Sequence, residues 1–70
     1  MNWVSTPESS TIAGFEYDEK TQVLTVEFAK SGRYNYYDVP KALFEQMTVA
    51  PSKGQFLAQN IKGTYRYARF

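Results

Sequence analysis

Two stretches of the chain interleave positive charge with aromatic rings. One is Lys30-Ser31-Gly32-Arg33-Tyr34, continued by Tyr36 and Tyr37; the other is Lys62-Gly63-Thr64-Tyr65-Arg66-Tyr67-Ala68-Arg69-Phe70. Cations beside flat π faces can neutralise phosphates while the rings stack on bases, each stacked base being worth ~1–3 kcal/mol. The candidate nucleic-acid contacts are therefore Lys30, Arg33, Tyr37, Lys62, Tyr65, Arg66, Tyr67 and Arg69. Little else in the chain could do chemistry. With no His and no Cys, the commonest general base and the commonest thiol nucleophile are both absent. Asp18-Glu19 falls in a polar turn, and Ser9-Ser10 has no base nearby. No cluster of His, Cys and carboxylates has metal-ligand spacing, and no run of glycines could cradle a phosphate. The expectation is a protein that is not an enzyme and carries neither a metal nor a cofactor.

The elements that must position these residues are legible from apolar periodicity. Thr11 to Tyr17 sets Ala13, Phe15 and Tyr17 against Ile12, Gly14 and Glu16; Val23 to Phe28 sets Leu24, Val26 and Phe28 against Val23, Thr25 and Glu27. Both alternate as half-buried strands do. Asp18 to Gln22 forms a polar hairpin loop between them, Lys30-Ser31-Gly32 supplies a second turn, and Arg33 to Asp38 is the third strand.

Register follows from parity, since a slip of one residue exchanges the faces of a strand. Pairing Phe28 with Tyr34 puts Tyr34 and Tyr36 on the apolar face, whereas a shift of one would bury Arg33 and Asn35. Burying an unpaired charge is costly, so the first arrangement is preferred. In the first hairpin, Asp18 opposite Val23 sets Phe15 against Val26 and Ala13 against Phe28. The inner face expected is Ala13, Phe15, Tyr17, Leu24, Val26, Phe28, Tyr34 and Tyr36; the outer is Gly14, Glu16, Thr25, Glu27, Arg33, Asn35 and Tyr37. Tyr34 and Tyr36 are thus expected in the core, their hydroxyls reaching a rim near Asn60.

Pro40 suits a first helical turn, where its missing N–H is no loss. Lys41 to Ala50 places Leu43, Met47 and Ala50 at helical spacing until Pro51, and Ser52 with Gln55 three residues on marks the start of a second helix that Gly63 ends. Thr64 to Phe70 alternates again, as a fourth strand or as an extended tail over the helices. The expected fold is α+β: a three-stranded antiparallel meander, four-stranded if the tail pairs, with two short helices packed on one face. Residues 1–8 are expected as a flexible lead-in, with Trp3 either docked or mobile, and 9–70 as a single domain.

A chain of 70 residues buries only roughly 60% of its unfolded surface, and without disulfides its core must rely on large side chains. At 17% aromatic, the chain has them. The net charge of +1 hides an asymmetry. Up to Phe28, Lys20 stands alone against Glu8, Glu16, Asp18, Glu19 and Glu27. Beyond it, Lys30, Arg33, Lys41, Lys53, Lys62, Arg66 and Arg69 face only Asp38 and Glu45. Such a distribution can create a polyanion-binding face. No stretch approaches the ~20 apolar residues of a membrane span, so no membrane partner is expected and the cytoplasm is the simplest location.

From Ser9 to Tyr67 the order of landmarks resembles the KTSC domain, a module named after the C-terminus of some lysyl-tRNA synthetases and also found as small bacterial and phage proteins. The resemblance is carried by Ile12 to Asp18, Leu24-Thr25-Val26-Glu27-Phe28, Tyr34-Asn35-Tyr36, Val39-Pro40, Ser52-Lys53-Gly54, Phe56, Ile61-Lys62 and Tyr65. Ala58 departs from the family pattern, which has Asn there, so no role of that Asn carries over. The resemblance implies no defined activity, but its association with a tRNA synthetase suggests RNA. The expectation is a non-enzymatic module that binds RNA through the second hairpin tip and the C-terminal segment. The alternative is a protein-interaction module or homodimer, an accessory or prophage-related factor, using an uncovered Val39–Met47 helix face or a free edge strand.

Overall fold

The computed structural model describes residues 3–7 and 9–69. Its elements are β1 (Val4–Ser5), β2 (Ile12–Asp18), β3 (Val23–Phe28), β4 (Gly32–Tyr36), α1 (Lys41–Val49), α2 (Lys53–Asn60) and β5 (Tyr67–Arg69). All five strands join one antiparallel sheet in the order β1-β2-β3-β4-β5, with the helices inserted before the last strand. The α+β class and the two helices are as expected, but the sheet has five strands rather than three or four. The tail forms β5, and the stretch expected as a lead-in contributes β1. Thr6, the residue after β1, is buried; its N–H donates to the Ala13 carbonyl and its hydroxyl to that of Ile12.

The inner face is built largely by the expected parity. Phe15 pairs with Val26, Tyr17 with Leu24 and Asp18 with Val23. Two details differ. A register shift between Ile12 and Gly14 leaves Ala13 without a partner and pairs Ile12 with Phe28, so Ile12 is buried and Ala13 exposed. A bulge lets a strand choose between adjacent apolar residues, and the extra carbons of Ile12 favour it at about 0.8 kcal/mol per buried methylene. In the second hairpin, Phe28 pairs with Gly32, Val26 with Tyr34 and Leu24 with Tyr36, two residues away from the pairing expected. A shift of two preserves both faces. It is made possible by Gly32, whose φ of +86° closes a short loop that a side chain would strain.

The core lies between this face and the helices. Met47 of α1, Leu57 of α2, and Val39 and Ile61 at the helix margins are buried with Ile12, Phe15, Leu24, Val26 and Tyr36. Phe44 stacks on Tyr17 at 5.0 Å and meets Phe15 edge-on at 5.8 Å. Because Val39 and Met47 are 0% exposed, the helix face considered as a docking surface is already covered by the sheet. The Tyr17 hydroxyl donates to the Val39 carbonyl, tying the sheet to the segment that opens α1. Ser52 caps α2 as its position implies, accepting from the Gln55 N–H at 3.3 Å, and Gly63 follows the helix at φ +82°. The Asn60 side-chain amide turns instead to its own helix, donating to the Phe56 carbonyl. No helix among the described residues is long and apolar enough to cross a membrane.

Candidate nucleic-acid interface

Helices of nine and eight residues are only ~12–14 Å long, whereas five strands about 4.8 Å apart span ~19 Å. The helices leave part of the inner face uncovered, Phe28 and Tyr34 being only half-buried and Tyr67 exposed. The gap falls at the β4–β5 corner, where the chain leaves α2 and turns at Gly63 into β5. A cleft of about 500 Å³ opens there, lined by Phe28, Ser31, Tyr34, Tyr36, Lys62, Gly63 and Tyr67.

Its walls are aromatic. Phe28 and Tyr34 meet edge to face at 5.1 Å, and Tyr67 lies 5.6 Å from Tyr34 and 5.7 Å from Tyr36, tilted against both. Tyr67 faces the same way as the two because β5 pairs it with Tyr36, and Arg69 with Tyr34. Tyr67 is 60% exposed while Tyr36 is 1% exposed, so one is wall and the other floor. Burial, reinforced by the neighbouring Tyr34 and Tyr67 phenols, pushes the Tyr36 phenol above its ordinary pKa and keeps it protonated. Lys62, which also lines the cleft, holds its ammonium 5.6 Å from the centre of the Phe28 ring in a cation–π placement.

More open depressions continue the cleft on both sides. One shares Phe28, Ser31 and Lys62 with it and adds Lys30, Ser10 and Thr11. The other shares Gly63 and Tyr67 and adds Tyr37, Thr64, Tyr65 and Arg66. Among the described residues, no carboxylate lines any of the three. Six of the eight residues singled out from sequence thus line one groove: Lys30, Lys62, Tyr65, Tyr67, Arg66 and, at its far end, Tyr37.

The basic residues do not converge on a single face. Lys62 and Arg69 belong to the helix side. Arg33 is on the outer face, 3.5 Å from the Glu27 carboxylate and with its guanidinium 5.0 Å from the Trp3 ring. Arg66 sits over the Tyr37 ring at 5.7 Å and 3.5 Å from the Asp38 carboxylate, which a left-handed turn at Asp38 (φ +60°) brings toward β5. Tyr37 anchors this end through its N–H, donated to the Arg66 carbonyl. Sequence reasoning missed Phe28, Tyr34, Tyr36 and Ser31 as cleft residues. It placed the three aromatics on the correct face and assumed that the helices would cover them all.

Comparison with known proteins accords with this architecture. The family model for the KTSC domain matches residues 8–65. The chain is 44% identical over 61 residues to a lysine–tRNA ligase of Nostoc punctiforme, covering 87% of this chain and 11% of that protein. It therefore spans about 11% of the length of that curated relative. A protein of Tsukamurella paurometabola is 36% identical over 59 residues, which are 84% of this chain and 88% of that one. The crystal structure of a KTSC domain protein from Yersinia pestis superposes with a TM-score of 0.93 at 29% identity, over 99% of this chain and 96% of the other. A sequence match over most of the chain and a shared fold over nearly all of it lead to one conclusion: the chain belongs to the KTSC domain family.

Proposed function

We propose that the protein is a non-enzymatic binding module that takes single-stranded RNA along the groove at the β4–β5 corner and works in the cytoplasm. The observation that carries this reading is the makeup of the groove: rings of Phe28, Tyr34, Tyr65 and Tyr67, cations of Lys30, Lys62 and Arg66, and no carboxylate among the described lining residues. Proteins that hold single strands combine cations that follow the backbone with rings on which bases stack. The open outer face of the sheet suits this poorly, because Glu16 and Glu27 lie on it and Arg33 is engaged by Glu27. The match to a lysine–tRNA ligase supports RNA over DNA, since that relative's named substrate is an RNA. Among the described lining residues there is no His, Cys or carboxylate, the usual general bases.

The test is fluorescence anisotropy with a labelled single-stranded oligoribonucleotide at low and moderate salt. Wild type should bind with a salt-dependent affinity, and Lys62→Ala/Tyr67→Ala should lose most of it. Arg66→Ala/Arg69→Ala should weaken binding less, because Arg66 is already engaged by Asp38. Absence of salt-dependent binding by wild type overturns the reading. Unchanged binding by the Lys62/Tyr67 variant removes the groove as the site.

Self-association is the second reading, resting on β5: its three residues are all exposed on an edge of the sheet. Light scattering at high concentration tests it, and a strict monomer would exclude it.

A further inference from the structure

We infer that the central cleft is a receptor for one unstacked nucleobase, held between Tyr67 and Phe28, with its phosphate on Lys62. The inference deepens the RNA reading above and rests on it. The shape of the cleft points to a flat ligand. Tyr67 leans on Tyr34 and Tyr36 at 5.6 and 5.7 Å yet is 60% exposed, so it is braced from behind and open in front. Phe28 is fixed edge-on to Tyr34 at 5.1 Å. Two braced rings lining one cleft suit a π-system better than a branched aliphatic chain, which would leave the ring faces poorly filled.

The volume is appropriate. At about 500 Å³ the cleft lies within the ~300–1,000 Å³ range of small-molecule sites. The polar groups are also those a nucleotide needs. Lys62 lines the cleft with its ammonium over the Phe28 ring, within reach of a phosphate attached to an inserted base. Lys30 lines the adjoining depression, which shares Phe28, Ser31 and Lys62 with the cleft and so continues the phosphate path. Ser31 and the tyrosine hydroxyls offer donors and acceptors to a base edge, with Tyr36 held as a neutral phenol at the floor. Single-stranded RNA presents such bases, splayed out and available for stacking on aromatic side chains.

The test is a nuclear magnetic resonance titration of the full chain with adenosine monophosphate, ribose 5-phosphate and N-acetyltyrosinamide, alongside the oligoribonucleotide. Adenosine monophosphate should shift the amides of Tyr34, Lys62, Gly63 and Tyr67 saturably, and ribose 5-phosphate should not. Tyr67→Ala should weaken the nucleotide about tenfold or more, while Tyr67→Phe, which keeps the ring, should retain it. Equal shifts from ribose 5-phosphate would overturn the base receptor in favour of a plain phosphate site. Equal saturation by N-acetyltyrosinamide would overturn it in favour of a protein side chain. Oligoribonucleotide binding that ignores Tyr67→Ala would also overturn it and leave the RNA reading standing. Binding of the mononucleotide without the oligonucleotide would sustain the base receptor and remove the RNA reading. Binding of neither removes both.

Discussion

The indole ring of Trp3 lies directly on Gly14, so close that a Cβ built at Gly14 would come 2.5 Å from a ring carbon. Arg33 lies beyond the indole at 5.0 Å, so residues from the N-terminal segment, β2 and β4 form one stack on the outer face. In a strand, Gly→Ala ordinarily helps by roughly 0.5–1 kcal/mol through backbone entropy. Here Gly14→Ala should instead destabilise by about 1–3 kcal/mol, as overpacking does, and shift Trp3 fluorescence toward a more solvated spectrum. In a Trp3→Ala background the same change should become neutral or favourable. A penalty that persists without the indole would mean the ring is not what Gly14 accommodates.

Tyr36 is the largest fully buried side chain, so Tyr36→Ala should cost about 3–5 kcal/mol in urea unfolding, as large aromatic truncations do. Tyr34→Ala should cost clearly less, since Tyr34 is only half-buried. Equal losses would contradict the assignment of one to the floor and the other to the wall of the cleft.

Tyr17 and Tyr36 should ionise later than a free phenol at about 10. For Tyr17 the first cause is burial, followed by the Glu19 carboxylate, with Lys41 opposing; for Tyr36 it is burial, then the Tyr34 and Tyr67 phenols. A folded value raised above the unfolded one contributes stability that is complete below the unfolded value. That contribution is lost as pH rises from there through the folded values. Urea midpoints should therefore fall above about pH 10, and Tyr17→Phe should flatten the fall. The same variant should lose about 1 kcal/mol at neutral pH, because the Val39 carbonyl loses its phenol donor. A midpoint no more sensitive to alkali in wild type than in Tyr17→Phe would contradict this assignment.

Ser52→Ala should cost about 1 kcal/mol, the usual worth of an N-cap. The hydroxyl accepts the Gln55 N–H at 3.3 Å, and Ser52→Asp should recover most of the loss in thermal unfolding.

If Lys62 contacts phosphate, Lys62→Ala should reduce the slope of log affinity against log salt by about 1. Arg33→Ala should leave that slope nearly unchanged, since Arg33 lies on the other face with Glu27 and Trp3. Equal effects of the two would place the interface elsewhere.

Features set by local chemistry were legible in the sequence: the capping pair Ser52 and Gln55, the helix opened after Pro40, and the faces of β3, β4 and β2 from Gly14 onward. Those set by competition between nearly equal choices were not. Ile12 and Ala13 are both apolar, and only the shape of the core decides which the bulge turns inward. Pairing Phe28 with Gly32 or with Tyr34 yields the same faces, so parity could not separate them. Val4–Ser5 is too short to show any period, and its strand exists because the edge of β2 was free to be paired. The candidate groove was half legible for a similar reason. Lys62, Tyr65 and Tyr67 were visible as types in a pattern. Which of the inner-face rings would escape cover depended on where two short helices come to rest.

The insertion of both helices between β4 and β5 has a consequence for how the molecule is assembled. Neighbouring strands from β1 to β4 are joined by short connections, whereas β5 can dock on β4 only after the whole helical hairpin has been looped back, a closure of much higher entropic cost. The strand pair that brings Tyr67 to Tyr36 is then the natural last step of folding and the first to open in native-state fluctuations. A ligand gripped by Tyr67 would bind only the closed form and stabilise it by mass action. Its presence would be recorded as slower amide exchange in Tyr67–Arg69, a latch at the end of the chain that engages when the groove is filled.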